Sequence, residues 1–208
     1  MRFIFKTSYQ QDIQLAKHGG HVFWYGLLLL FLLAAPWLLP EYWLAQLSFV
    51  MIYSIIGLGL MLLAGFTGLF SIGNAAFMGV GAYVAGVMSG YGMPFPITLL
   101  LAAGLSALVG AVVGLPALRV RGIFLGIATL AFGFIVEEVL ARWERLTGGN
   151  AGLHVKTMVM GTLKIDNAEK FYVVCLVTTV LCTLGILNVL RSATGRAFVA
   201  IRDSEISA

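Results

Sequence analysis

YWLAQLSFVMIYSIIGLGLMLLAGFTGLFSIGNAAFMGVGAYVAGVMSGYGMPFPITLLLAAGLSALVGAVVGLPAL, residues 42–118, contains no Lys, Arg, Asp or Glu in 77 positions. A soluble domain cannot run so long without charge, because its outward faces must meet water. In a bilayer the constraint is reversed, since a charge at the centre of a spanning helix costs ~2.5–3.5 kcal/mol on insertion scales. Several helices can cross here with nothing ionised between them. The chain is built for a membrane.

The rest of the composition agrees. The 208 residues are 60% hydrophobic and 11% charged, with a mean hydropathy of +0.97, whereas soluble domains carry about 25% charged residues. At ~20 apolar residues per crossing, a chain of this length forms about six spanning helices. The expected fold is therefore all-α: a polytopic integral membrane helical bundle. The net charge of +4 is no nucleic-acid footprint, because Lys and Arg gather at helix ends, where headgroups and topology account for them. Cys175 and Cys182 share one apolar stretch and one side of a helix, and read as small buried hydrophobes.

Arg2, Lys6 and Lys17 precede an apolar run, and Ala34-Ala35 imitates a signal-peptide cleavage site. The run from Val22 to Leu39 is near full spanning length, so it reads as an uncleaved first helix. That helix is expected over 22–39, ending at Pro36 and Pro40. Helix two follows over 43–64, then a Gly-rich break at Gly65-Phe-Thr-Gly68, and helix three over 72–90. Gly92-Met-Pro-Phe-Pro96 turns the chain into helix four, 97–115, closed by Pro116, Arg119 and Arg121. Helices five and six are expected over 123–142 and 170–190, separated by the only long polar connection, 143–169.

The N-terminal tail, the 116–121 loop and the C-terminal tail hold Arg2, Lys6, Lys17, Arg119, Arg121, Arg191, Arg196 and Arg202. With six helices all three segments fall on one side, which the positive-inside rule makes the cytoplasm. The opposite side carries Arg142, Arg145, Lys156, Lys164 and Lys170, offset by Glu144, Asp166 and Glu169. The chain thus divides into a cytoplasmic tail (1–21), a transmembrane domain (22–190) and a cytoplasmic C-terminal segment (191–208). Ala102, Ser106, Gly110 and Gly114 recur every four residues, as do Ala82, Gly86 and Gly90. Small residues at that spacing let helices approach closely, here most simply within the bundle.

No enzymatic constellation is visible. His18, His21 and His154 have no ligand-like spacing, and no phosphate-binding G-x-x-x-x-G-K-[ST] occurs, so any ATP must be bound by another chain. No cofactor or metal is expected. Glu137 and Glu138 stand near the end of helix five, where Glu138 can pair with Arg142 at i+4. The break is more suggestive: Gly59, Gly65, Gly68, Gly73, Gly79 and Gly81 crowd one spanning region. Non-helical backbone at that depth must be buried in protein or line a cavity. Ser71 and Asn74 are placed to cap the helix that follows, and free N–H groups there can receive a carboxylate.

The segment Gly59-x-x-Leu-Leu-x-Gly-x-x-Gly-x-x-Ser71-x-Gly73-x-Ala-Ala-Phe77-x-Gly-x-Gly-Ala-Tyr83 resembles the LivM-like permease subunits of bacterial ABC importers for branched-chain amino acids. Three further stretches match in order: Gly114 to Leu130, Leu146-Thr-Gly-Gly-Asn-Ala-Gly-Leu153, and Gly195-Arg-Ala-Phe-Val-Ala-Ile-Arg-Asp-Ser-Glu205. Together they cover residues 48–208. One departure stands out: after the T-L-x-F-G stretch ending at Gly133, Phe134 comes next and the acids only at Glu137 and Glu138.

The resemblance implies a permease of the bacterial inner membrane, not an enzyme, that forms a path for branched-chain or related small amino acids. It implies a second homologous permease, two cytoplasmic ATP-binding subunits and an extracytoplasmic substrate-binding protein as partners. It also implies that this is the N-terminal portion of a permease, so that the transmembrane domain and the coupling segment are incomplete. On this reading Ser71, Gly73, Asn74, Phe77, Thr147, Gly148, Gly149 and Asn150 line the substrate path. Gly195, Arg196, Phe198, Ile201, Arg202, Asp203 and Glu205 form the segment that meets the ATPase, with Phe198 and Ile201 on one helical side for a groove. Two rivals remain at this point: a non-transporting membrane scaffold subunit, and a secondary transporter, against which the lack of midplane charge counts.

Overall fold

The computed structural model describes residues 19–117, 122–153, 155, 159–160, 163–164 and 167–203. Six helices of 17 to 24 residues dominate it. They are α1 (Gly19–Leu38), α2 (Glu41–Leu60), α3 (Asn74–Gly90), α4 (Phe95–Ala117), α5 (Ile123–Arg142) and α7 (Ala168–Arg191). A short α6 (Glu144–Thr147) follows α5, and α8 (Ala193–Asp203) follows α7. The polar connection also folds a minimal hairpin, β1 (Val159–Met160) against β2 (Leu163–Lys164), antiparallel with Val159 opposite Lys164. Otherwise the described residues are all-α. Four stretches are long and apolar enough to cross a bilayer: Glu41–Phe66, Phe95–Pro116, Phe124–Arg142 and Ala168–Arg191. Val22–Leu38 is a shorter apolar helix, and the 17-residue α3 spans only about 26 Å at ~1.5 Å per residue.

The surface confirms the solvent. Leu30 is 70% exposed, Leu100 74% and Phe124 73%. Apolar exposure on that scale is a liability in water and a requirement in lipid. Trp37, Tyr42 and Trp43 are exposed around the α1–α2 turn, as aromatic residues are at a headgroup boundary.

The chain forms two compact units, one of residues 1–62 with 168–208, the other of residues 63–167. In the first, α2 packs along α7 around Ala35, Leu44, Met51, Tyr172, Cys175 and Leu176. Both cysteines are free, Cys175 buried and Cys182 half-buried. Pro36 does not end the first helix, as its sequence suggests; α1 continues through it to Leu38. A proline has no N–H for the carbonyl four residues back, and here that carbonyl, of Leu32, accepts a 2.8 Å hydrogen bond from the Tyr172 hydroxyl. The side chain of Tyr172 is fully buried. A residue of α7 thus supplies the donor that the proline lacks.

In the second unit α3 packs on α4 and on α5. Of the small-residue stripe on α4, Ser106 and Gly110 carry the approach: Ser106 Oγ donates to the Phe77 carbonyl at 3.2 Å, and a Cβ on Gly110 would rest 3.6 Å from the Phe77 ring. The break before α3 lies where glycine density places it. The helix of α2 widens into a π turn at Met61–Phe66, and the chain then runs without regular structure to Gly73. Gly68 takes the left-handed φ of 71° that ends the turn.

Candidate functional site

The end of the non-helical stretch 67–73 docks on one face of α5. The Ile72 N–H donates to Thr129 Oγ1 at 3.0 Å, and Thr129 Oγ1 donates to the Gly126 carbonyl at 3.0 Å. A Cβ on Gly73 would stand 2.8 Å from the Thr129 carbonyl oxygen, and one on Gly126 would stand 2.8 Å from the Phe70 ring. Both positions therefore require glycine for space rather than for dihedral freedom. Ser71 and Gly73 are thereby buried, while Gly68, Phe70 and Ile72 stay exposed.

Beside that contact lies a cavity of about 230 Å³, lined by Ser71, Gly73 and Phe77 together with Gly110, Thr129 and Phe132 among others. The Phe77 and Phe132 rings are tilted by 37° with centroids 5.6 Å apart. Three of the four residues expected on the substrate path around the break are thereby brought together; Asn74, half-buried, opens α3 instead. The expected caps do not form. Gly73 occupies the N-cap position without a side-chain bond, and Ser71 Oγ instead accepts from the Gly73 N–H at 3.4 Å.

Thr147, Gly148 and Gly149 form a locked turn at the end of α5. The Thr147 hydroxyl is 1% exposed. It lies within hydrogen-bond distance of the Leu140 and Trp143 carbonyls, at 2.6 and 2.8 Å, and accepts from the Gly149 N–H at 3.2 Å. Gly148, Gly149 and Gly152 have φ of 72°, 58° and 74°, the left-handed region that favours glycine. Asn150 falls in the 3₁₀ turn Gly149–Ala151. Gly149 and Gly152 line a second, larger groove of about 530 Å³ between α3 and α5, which Thr147 does not line.

The two acids of α5 separate. Glu138 forms an ion pair with Arg142, as i+4 spacing predicts. Glu137 instead lines the larger groove, with Tyr83, Phe134 and Leu140. Sequence reasoning gave Gly126 and Thr129 no role, and for Glu137 it set an interfacial ion pair against a place in the substrate path. The signals were present for the first two, small residues three apart on one helix face, but only the docked break shows what they receive.

In the C-terminal segment, Ser192 separates α7 from α8 and its N–H donates to the Val189 carbonyl at 3.1 Å. Gly195 is buried, with no room for a Cβ against the Leu190 carbonyl. Phe198 is half-buried, while Arg196, Ile201 and Arg202 are exposed. Asp203 is the last residue of α8, and Glu205 lies outside the described residues, as do Arg119, Arg121 and residues 1–18.

Long apolar helices with exposed apolar faces define a helical multi-pass membrane protein. The chain belongs to the family described as the branched-chain amino acid transport system permease component, whose model matches residues 42–208. It is 34% identical over 185 residues to the high-affinity branched-chain amino acid transport system permease protein LivM of Salmonella typhimurium (strain LT2), a match covering 77% of this chain and 44% of that protein. Identity and coverage are the same for LivM of Escherichia coli (strain K12). The chain thus spans less than half the length of these curated relatives. No solved structure matches it.

Proposed function

We propose that this chain is the membrane permease component of an ATP-driven importer of branched-chain or related small amino acids. It sits in the bacterial inner membrane with both termini of the sequence in the cytoplasm. A second, homologous permease completes the path, an extracytoplasmic binding protein delivers the cargo, and two cytoplasmic subunits hydrolyse ATP. Ser71, Gly73, Asn74 and Phe77 contribute to the path. Thr147, Gly148, Gly149 and Asn150 shape its outer end more than they touch cargo, because the Thr147 hydroxyl is already engaged by backbone groups.

The observation that carries the coupling part of this reading is α8. A long apolar helix is followed, after one residue, by an 11-residue amphipathic helix. Gly195 packs tightly at the junction, so force on α8 passes to α7 without slack. Exposed Ile201 and half-buried Phe198 are three residues apart on α8 and suit an apolar groove, with Arg196 and Arg202 for polar anchoring.

The test is the double variant R202A/D203A, expressed with the ATP-binding subunits. Association measured by copurification should weaken while the chain still inserts in the membrane. Unchanged copurification removes α8 from the coupling role. Normal copurification of the wild type without amino-acid uptake would favour a scaffold subunit instead.

A further inference from the structure

The groove of about 530 Å³ between α3 and α5 is within the ~300–1,000 Å³ range of small-molecule sites. Its walls are largely apolar: Ile72, Ala76, Gly79, Tyr83 and Phe134 are representative, and Glu137 is the one carboxylate among the lining residues. Glu137 lies five residues inside the end of α5, about 7.5 Å along the helix from its last residue. It has no hydrogen-bond or ion-pair partner among the described residues. The nearest cation in sequence, Arg142, is engaged by Glu138. Five positions from Glu137, it also points about 140° away around the helix. Glu137 is exposed, so its carboxylate is open to a cation that enters the groove.

We infer that Glu137 receives the ammonium group of the transported amino acid, while the apolar walls hold its aliphatic side chain. A carboxylate offers a charge-assisted hydrogen bond to a primary ammonium. An aliphatic amino acid has both the ammonium for Glu137 and the apolar side chain for the walls, whereas a neutral amide or urea has no ammonium to offer. This inference rests on the importer reading above and names the group within it that recognises the cargo.

The experiment measures uptake of radiolabelled leucine by cells expressing the complete importer, with the wild type, E137Q, E137D and E138Q at matched membrane levels. E137Q should lower uptake by about tenfold or more, and E137D should remain within about threefold of the wild type. E138Q, which alters the neighbouring ion pair outside the groove, should transport normally. Copurification of the ATP-binding subunits should be the same for all four. Wild-type uptake by E137Q overturns the assignment, and so does an equal loss in E137D, which would make the position one of packing. If the wild type itself transports no amino acid while its subunits assemble, the importer reading has failed and the assignment falls with it.

Discussion

Gly73 offers the sharpest test of how the helix break is held. Its φ of −80° is open to any residue, so substitution by Ala tests space alone. The added Cβ would meet the Thr129 carbonyl oxygen at 2.8 Å, the Thr129 Cβ at 3.3 Å and the Thr129 carbonyl carbon at 3.4 Å. Well-packed carbon atoms sit ~3.5–4.0 Å apart, and none of these three atoms is the far end of a flexible side chain. The start of α3 must therefore draw off from α5 by roughly 0.5 Å. Overpacking of this kind costs ~1–3 kcal/mol. The same movement stretches the 3.0 Å bond from the Ile72 N–H to Thr129 Oγ1, whose net worth is ~0.5–1.5 kcal/mol. For a chain of this size each kcal/mol moves Tm by ~2–4 °C, so G73A should melt roughly 3–18 °C lower in detergent, followed by tryptophan fluorescence. Gly104, inside α4 with nothing within 4 Å of its Cβ position, is the control: G104A should be neutral or stabilising by up to ~1 kcal/mol. Equal Tm values for G73A and G104A would refute the close-approach argument. A bulkier G73L should block uptake by the assembled importer while its subunits still copurify.

Three other consequences can be checked. Y172F removes the donor to the Leu32 carbonyl and should cost ~1–3 kcal/mol in thermal unfolding, because a buried acceptor is left unmade. In a P36A background, where residue 36 regains its N–H, the same change should cost visibly less; additive losses would show that the hydroxyl does not stand in for the missing donor. T147V leaves the buried Gly149 N–H and two carbonyls without the hydroxyl, so hydrogen exchange at 147–152 should accelerate in it and not in T147S. Equal protection in both would show that the turn stands without that hydroxyl.

The membrane class and the six long helices were legible because they depend on composition over long windows, although only four stretches among the described residues are long and apolar enough to span, against the six crossings expected. The run 42–118 without charge leaves few alternatives, and α5 matches its expected range because Gly122 and Arg142 punctuate it. What failed depended on partners far away in sequence. Pro36 reads as a stop unless the hydroxyl at position 172 is known to replace its missing donor. Ser71 and Asn74 read as caps because both residue types cap well, yet the space beside Thr129 admits only glycine where the cap falls. The acids at 137 and 138 cannot be ranked by type, only by direction: successive helical residues point about 100° apart, which sends one to Arg142 and the other to the groove.

The break, the glycines and the smaller cavity have one cause. Irregular backbone survives in a bilayer only when protein covers it, and α5 covers the end of the break, meeting Gly73 at backbone distance and the Phe70 ring at Gly126. Glycine permits that approach by giving up side-chain volume. Gly73, Gly110 and Gly114 line the smaller cavity with Phe77 and Phe132, and the two glycines of α4 have no side chain to fill it. The cavity is thus the other side of the contact that secures the break. A permease built this way gains a space beside its weakest stretch of helix without placing a charge in the membrane to make it.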